Sequence, residues 1–383
     1  MKKPLLSLLF LCTVLLAGCP EGGPGRPAAT VPTAGAQQPY PGGMVIEPDD
    51  ANLRYIGHWD KWRLSEQAVT VNSGSRVLCI FTGGSLRGRF AIQGITHPAQ
   101  IYVSIDRRKP QLYTLNAQLI DFVPKRLGGG RHTLQIAVKD VDERANRWQP
   151  PLASAVIFQG LVIDPGAKTL PLPPPSARQM EFYGDSITQG VRALSMAIGT
   201  AGSDGTKDYA FLTALAFGAR SNQVGFGRQG IIRTGNGGVP PAAQSFGWNF
   251  VGSKADPSFV PQVVVVNQGT NDGMYPSAQF EPAYLDYIRE IRAADPKSWI
   301  FCMRPFGGFH EKDVRAAVQS LSDPHTVYVD TAGWLDRADY TDGVHPTAAG
   351  HVKAARKLVR AISTSTGWKT VRSVDSDWWK VFP

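Results

Sequence analysis

The chain has 383 residues, with 40 Lys and Arg against 31 Asp and Glu, a formal net charge of +9. That length is enough for two hydrophobic cores, and no internal repeat is evident, so a solenoid or propeller is not expected. The basic balance suits acidic glycans or anionic surfaces, but no run of five or more Lys and Arg is present and a nucleic-acid partner is not expected.

In chain order, Lys2 and Lys3 precede the apolar run Leu5 to Leu16, which ends in Leu16-Ala17-Gly18-Cys19. The run is too short to cross a bilayer, and its pattern resembles a bacterial lipoprotein signal over residues 1–18. Cleavage there would leave Cys19 as the lipidated first residue and take the charge from +9 to +7, through loss of Lys2 and Lys3. Residues 19–44, dense in Pro, Gly, Ala and Thr, then form a flexible tether that cannot build a core. The expected location is the bacterial cell envelope, with the lipid anchor as the only membrane contact. Pro20 rather than aspartate follows the cysteine, so the outer membrane is expected if the organism has two membranes, and the cell surface otherwise.

Residues 45–168 carry short alternating segments with no helical period: Val69 to Val71, Val77 to Phe81, Arg89 to Ile92, Ile101 to Ile105, Leu112 to Leu115, His132 to Val138 and Ala155 to Ile163. Alternation every second residue between Gly-rich and charged turns predicts an antiparallel β-sandwich, jelly-roll-like. A stiff Pro-rich hinge follows at 169–177, around Leu170-Pro171-Leu172-Pro173-Pro174-Pro175.

Beyond the hinge, three polar motifs each follow a predicted strand, where open α/β sheets place their ligand sites. They are Gly184-Asp185-Ser186-Ile187-Thr188, Gly269-Thr270-Asn271-Asp272 after the run Val263 to Val266, and Asp342-Gly343-Val344-His345-Pro346 before a helix through Ala348 to Ile362. Gly-Asp-Ser alone also makes an ordinary turn with the serine as a cap. Taken together, the motifs supply a hydroxyl nucleophile (Ser186), a base (His345) and a carboxylate three residues before that base (Asp342). Backbone amides and the Asn271 side chain can donate to an oxyanion, and Gly225-Phe226-Gly227-Arg228-Gln229-Gly230 can supply a further amide, with Gly227 preferred to Gly230. Pro346 suits the first turn of the last helix.

In these four blocks the region from Arg178 to Thr366 resembles the Ser-Gly-Asn-His hydrolases, also called Gly-Asp-Ser-Leu esterases. Ile187 stands in the leucine position, a volume-conserving change. The resemblance implies a three-layer, flavodoxin-like domain over 178–366, with Ser186, Asp342 and His345 catalytic and Ser186, Gly227 and Asn271 forming the oxyanion hole. A β-sandwich ahead of such a domain is similar to the second family of carbohydrate esterases, which implies a serine esterase that removes O-acetyl groups from a polysaccharide with no cofactor and no metal. The chain differs from that family at Gln189, where cysteine is frequent, and has Asp342 where some members lack an acid. Two other readings are a short-chain lipid, thioester or peptidoglycan O-acetyl esterase, and a carbohydrate-binding lipoprotein with an inactive hydrolase domain.

The remaining histidines, His58, His97, His132, His310, His325 and His351, have no metal-ligand spacing. Cys79 and Cys302 are expected to be buried thiols. Trp248, Trp334, Phe306 and Phe309 lie in predicted loops near the catalytic edge, to stack on sugar or to pack in the core. The tail 367–383, with Trp368, Trp378 and Trp379, is expected to fold back onto the sandwich.

Overall fold

The computed structural model describes residues 42–382. The signal, Cys19 and most of the tether therefore lie outside the described residues. The amino-terminal half forms two antiparallel sheets. One is centred on Val156–Ile163, which pairs with Met44–Ile46, Ala68–Thr70 and Leu86–Phe90. The other is centred on Arg76–Thr82 and Arg131–Asp140. Their facing side chains, among them Phe81, Phe90, Leu134, Ile136 and Phe158, make one buried core. Each of the seven alternating segments corresponds to an observed strand. Four shorter strands were not expected: Met44–Ile46, Arg54–Ile56, Leu119–Asp121 and Thr169–Leu170. Met44 thus belongs to a sheet, not to a tether, and Thr169–Leu170 pairs with Ile80 and Phe81 inside the sandwich, so the hinge starts after it.

The second half is a five-stranded parallel sheet in the spatial order Arg220–Gly225, Gln179–Gly184, Val263–Asn267, Trp299–Met303, Thr326–Val329. Val263–Asn267 is buried throughout, as a strand covered on both faces must be. Its alternate side chains divide between two cores. Val264 and Val266 pack under Ser277–Ala294 and Glu311–Leu321, and Val263 and Val265 under Tyr209–Phe217 and Ala348–Thr366. These are the three layers of an α/β domain. The parallel register sets Gly184 opposite both Gly225 and Asn267, so these three neighbouring strands end along one line.

Several contacts sew the domains together, and two of them bear on the site and the tail. The loop after Arg131–Asp140 reaches the helical side of Gly184 through Arg147, described below. The tail returns along Arg131–Asp140: Trp378 is buried with Ala137, Phe211 and Leu215, and Gln135 Nε2 donates to the Trp379 and Val381 carbonyls at 3.1 and 2.9 Å. Cys79 and Cys302 are buried free thiols, in different domains.

Candidate active site

Ser186 opens a single helical turn, Ser186–Gln189, directly after the strand Gln179–Gly184. Asp185 caps it, its Oδ1 accepting the Ile187 N–H at 2.8 Å, and Gly190 closes it in the left-handed conformation. The turn fits tightly against the sheet. A Cβ on Gly184 would sit 2.0 Å from Thr188 Oγ1, and one on Gly225 would sit 2.6 Å from the Gln189 nitrogen, so neither position admits a side chain. Burial pushes the Asp185 carboxyl up, to about 6, against the help of the Ile187 amide and the His345 charge.

His345 arrives from the far end of the domain, in the turn before Ala348–Thr366. Thr347 is the cap of that helix, its Oγ1 accepting the Gly350 N–H at 3.0 Å. Pro346 therefore lies one residue outside the cap, not in the first turn, and pairs with Tyr340 in an isolated bridge. This geometry aims the imidazole at the nucleophile. His345 Nε2 is 2.8 Å from Ser186 Oγ, and Nδ1 is 2.8 Å from Asp342 Oδ2. The other carboxylate oxygen, Oδ1, accepts the Val344 and His345 amides at 3.0 and 2.8 Å, which fixes the Asp342 side chain.

Partial burial works against the charged form of Asp342, but the His345 amide and ring and the Arg192 guanidinium outweigh it and hold the carboxyl far below the usual carboxylate range. Arg192 was not singled out from the sequence. Its Nη1 donates to Asp342 Oδ2, its carbonyl accepts from Thr341 Oγ1 at 2.7 Å, and its backbone has φ 55°. A residue two past a glycine turn carries no local signal for this contact, because its partners are 149 and 150 positions away.

The sequence-predicted oxyanion donors come together around the same strand ends. The Ser186 amide, at the first helical position, has no intrahelical acceptor. Among the described residues the Gly227 amide has none either, whereas the Gly230 amide donates to Arg233 at 3.0 Å. That difference separates the two glycines in favour of Gly227. Asn271 Nδ2 donates to the Gln229 carbonyl at 2.9 Å and to Asp185 Oδ2 at 3.2 Å, so the side chain is tied to both neighbouring motifs. Contact with an oxyanion would use the proton of the longer bond. Glu143 of the sandwich reaches over Gly227, where a Cβ would lie 2.3 Å from its Oε2.

Two more devices escaped the sequence reading. Asp272, fully buried, accepts the Ile231, Ile232 and Arg233 amides at 2.7, 3.0 and 3.0 Å and so clamps the Gly227 loop to the Asn271 turn. Gln189, the position that departs from the cysteine, is held from the sandwich: its Oε1 accepts from Arg147 Nη2 at 2.7 Å, and its Nε2 donates to Asp140 and Val141 at 2.9 and 2.7 Å. Arg147 Nη1 also donates to the Val71 carbonyl at 2.7 Å, and burial lowers its guanidinium to about 10. A glutamine, with a donor and an acceptor at one end, makes this link; a thiol could not.

Of the aromatic residues, Phe306 is core, Trp248 and Trp334 are half-buried against the cores, and Phe309 is 44% exposed beside Gly273. His351 is buried, accepts the Tyr209 N–H at 3.2 Å, and is pushed down to about 3 by burial and the His345 charge, so its ring is neutral. The segment upstream of the polar run Gly199 to Lys207 is less polar than expected of this region: Leu194, Met196 and Ile198 are exposed, as is Val344 beside His345.

Comparison with known proteins finds the following likenesses. The GDSL-like Lipase/Acylhydrolase family matches residues 182–353, which include the five predicted catalytic and oxyanion residues but not Cys19. Cellulase/esterase CelE of Acetivibrio thermocellus is 29% identical over 242 residues, 58% of this chain and 30% of that protein, so the chain spans under a third of this relative's length. Acetylxylan esterase / glucomannan deacetylase of Cellvibrio japonicus is 25% identical over 292 residues, covering 70% of this chain and 77% of that protein. A solved family two carbohydrate esterase from Clostridium thermocellum in complex with cellohexaose is similar with TM-score 0.70 and 25% identity, over 82% of this chain and 99% of that one. The family two enzyme from Cellvibrio japonicus shares the fold, with TM-score 0.71 at 19% identity over 85% of this chain and 98% of the other. Residues 182–353 thus match the GDSL-like Lipase/Acylhydrolase family, and the fold of the whole chain is similar to that of the family two carbohydrate esterases.

Proposed function

We propose that this protein is a serine esterase that removes O-acetyl groups from a carbohydrate. The observation that carries the reading is the unbroken line from Ser186 Oγ through the His345 ring to the Asp342 carboxylate, with 2.8 Å at each step. In this mechanism Ser186 Oγ attacks the ester carbonyl carbon while His345 Nε2 takes its proton. The Ser186 and Gly227 amides and Asn271 receive the oxyanion. As the bond to the sugar oxygen breaks, His345 returns the proton to it and the sugar alcohol leaves. Water, deprotonated by the same imidazole, then attacks the acetyl-serine and releases acetate. The carbohydrate substrate is supported by the relatives, one named acetylxylan esterase / glucomannan deacetylase and another solved with cellohexaose. Phe309, on the rim beside the Asn271 turn, offers an aromatic face to a sugar.

The test is acetate release from acetylated xylan, glucomannan, pectin and peptidoglycan, run beside p-nitrophenyl esters of two to twelve carbons. We expect release from xylan or glucomannan and a kcat/KM that falls with acyl length, because a lipase gains roughly 0.8 kcal/mol per buried methylene and needs an apolar groove to do so. A kcat/KM that climbs to eight carbons would promote the lipid reading and give Leu194, Met196 and Ile198 a substrate to cover. We further propose that Cys19 anchors the enzyme to the cell envelope. Cys19→Ser should release it into the soluble fraction with its activity intact, and unchanged membrane fractionation would refute the anchor.

A further inference from the structure

On the far side of the parallel sheet from Ser186 a cleft of about 520 Å³ opens where the sandwich, the hinge, the helix Tyr209–Phe217 and the tail meet. Arg178, which lines it, immediately precedes the strand Gln179–Gly184, and Ser186 follows that strand's other end. Arg76 and Arg372 line it too, and among the described residues no Asp or Glu does. Two of the three guanidiniums are accounted for by the end of the helix. Arg372 Nη1 donates to the Leu215 carbonyl at 3.2 Å, and Arg178 Nη1 to the Phe217 and Lys369 carbonyls at 2.9 and 2.7 Å, where the helix C-terminus favours cations.

Arg76 is not accounted for. It is 5% exposed, its guanidinium lies 5.2 Å from the centre of the Phe211 ring, and its Nε is buried with no hydrogen-bond partner. No carboxylate pairs with it among the described residues. A buried guanidinium with an aromatic face on one side and an open cleft beside it lacks the acceptor that its planar fork is built to bind. Burial and the neighbouring Arg372 charge lower it to about 10, which reports the cost of leaving that charge unneutralised.

We propose that this cleft binds a small oxyanion, with Arg76 as its principal donor and Arg372 as a second. The ligand chemistry is that of phosphate, sulfate or a sugar carboxylate. The site is independent of the acyl-transfer reading. It is tested on the full chain, by calorimetric titration with inorganic phosphate and with glucuronate and by thermal unfolding, against sodium chloride at matched ionic strength. The wild type should bind one anion and gain Tm with it. Arg76→Met should abolish that binding, keep turnover of p-nitrophenyl acetate unchanged and, in anion-free buffer, unfold at the wild-type temperature or above, because it removes an unpaired buried charge. Arg372→Gln, at a half-buried position, should weaken binding by about tenfold and serves if Arg76→Met does not fold. Tighter binding of glucuronate assigns the site to an acidic glycan, and tighter binding of phosphate to the free ion. No heat with either anion, or an undiminished response in both variants, would overturn the proposal.

Discussion

At the residue scale the site depends on one imidazole held from both ends. His345→Ala removes the base and should lower kcat by several orders of magnitude. Asp342→Asn keeps the shape but takes away the acceptor that fixes the ring, and should cost about 10⁴-fold with the fold intact. A smaller loss would mean that the amide contacts to Asp342 orient the turn without the carboxylate charge. The pH behaviour follows from the same groups. Asp342 titrates far below the usual range, so the stability it contributes is present above about pH 4, where the unfolded carboxyl ionises, and is lost only as pH falls through the lower folded value. The triad should therefore survive exposure to pH 5, with activity returning in full at neutral pH and near-ultraviolet circular dichroism unchanged throughout. Incomplete recovery would show that acid disrupts the triad itself. Ser186 and Asn271 were legible because each sits in a short polar motif directly after a strand; the motif of Asp342 and His345, expected after a strand too, instead follows the helical turn Arg337–Asp339, well past Thr326–Val329, and was legible from its residue types ahead of the last helix. Arg192, Asp272 and Arg147 were not, because what they do is defined by partners 39 to 150 positions away.

At the scale of elements, the nucleophile turn is set by what the strands leave no room for. Gly225 faces the Gln189 nitrogen and the Asp185 carbonyl, which would lie 2.6 and 2.7 Å from an added Cβ. Both are backbone, so Gly225→Ala cannot be relieved by a rotamer change and should lower stability by roughly 1–3 kcal/mol and kcat with it. Urea unfolding checks the first, and steady-state assay the second; a variant that is destabilised yet fully active would separate the turn's packing from its chemistry. Strands of five or more residues were readable from alternation or from an unbroken apolar run such as Val263 to Val266. Of the strands of two or three residues in the sandwich, Ala68–Thr70 was readable through Val69 to Val71, but Met44–Ile46, Arg54–Ile56, Leu119–Asp121 and Thr169–Leu170 were not, since so short a run is less than two periods of any pattern and its pairing comes from neighbours. The same holds for Pro346, whose place outside the cap is decided by Thr347 Oγ1 and the Tyr340 bridge.

For the whole molecule, the sandwich helps to hold the candidate site. Arg147 is 1% exposed and joins Val71 of the sandwich to Gln189 of the nucleophile turn, while Glu143 overlies Gly227. Burial raises the Asp140 carboxyl, with Gln189 and Arg147 working against that rise. Arg147→Met would leave Gln189 and Asp140 buried without their cation, at a cost of roughly 3–5 kcal/mol. Its kcat should fall more than its KM rises, because the nucleophile turn loses its support. If activity is unchanged, the link is packing alone.

The central claim is that Ser186 carries the acetyl group from a carbohydrate ester to water. It is tested most directly by measuring acetate release from acetylated xylan by purified wild type and Ser186→Ala at equal concentration. The account predicts steady release by the wild type and release by the variant reduced by a factor on the order of 10⁴ or more. Substantial release by the variant would contradict it.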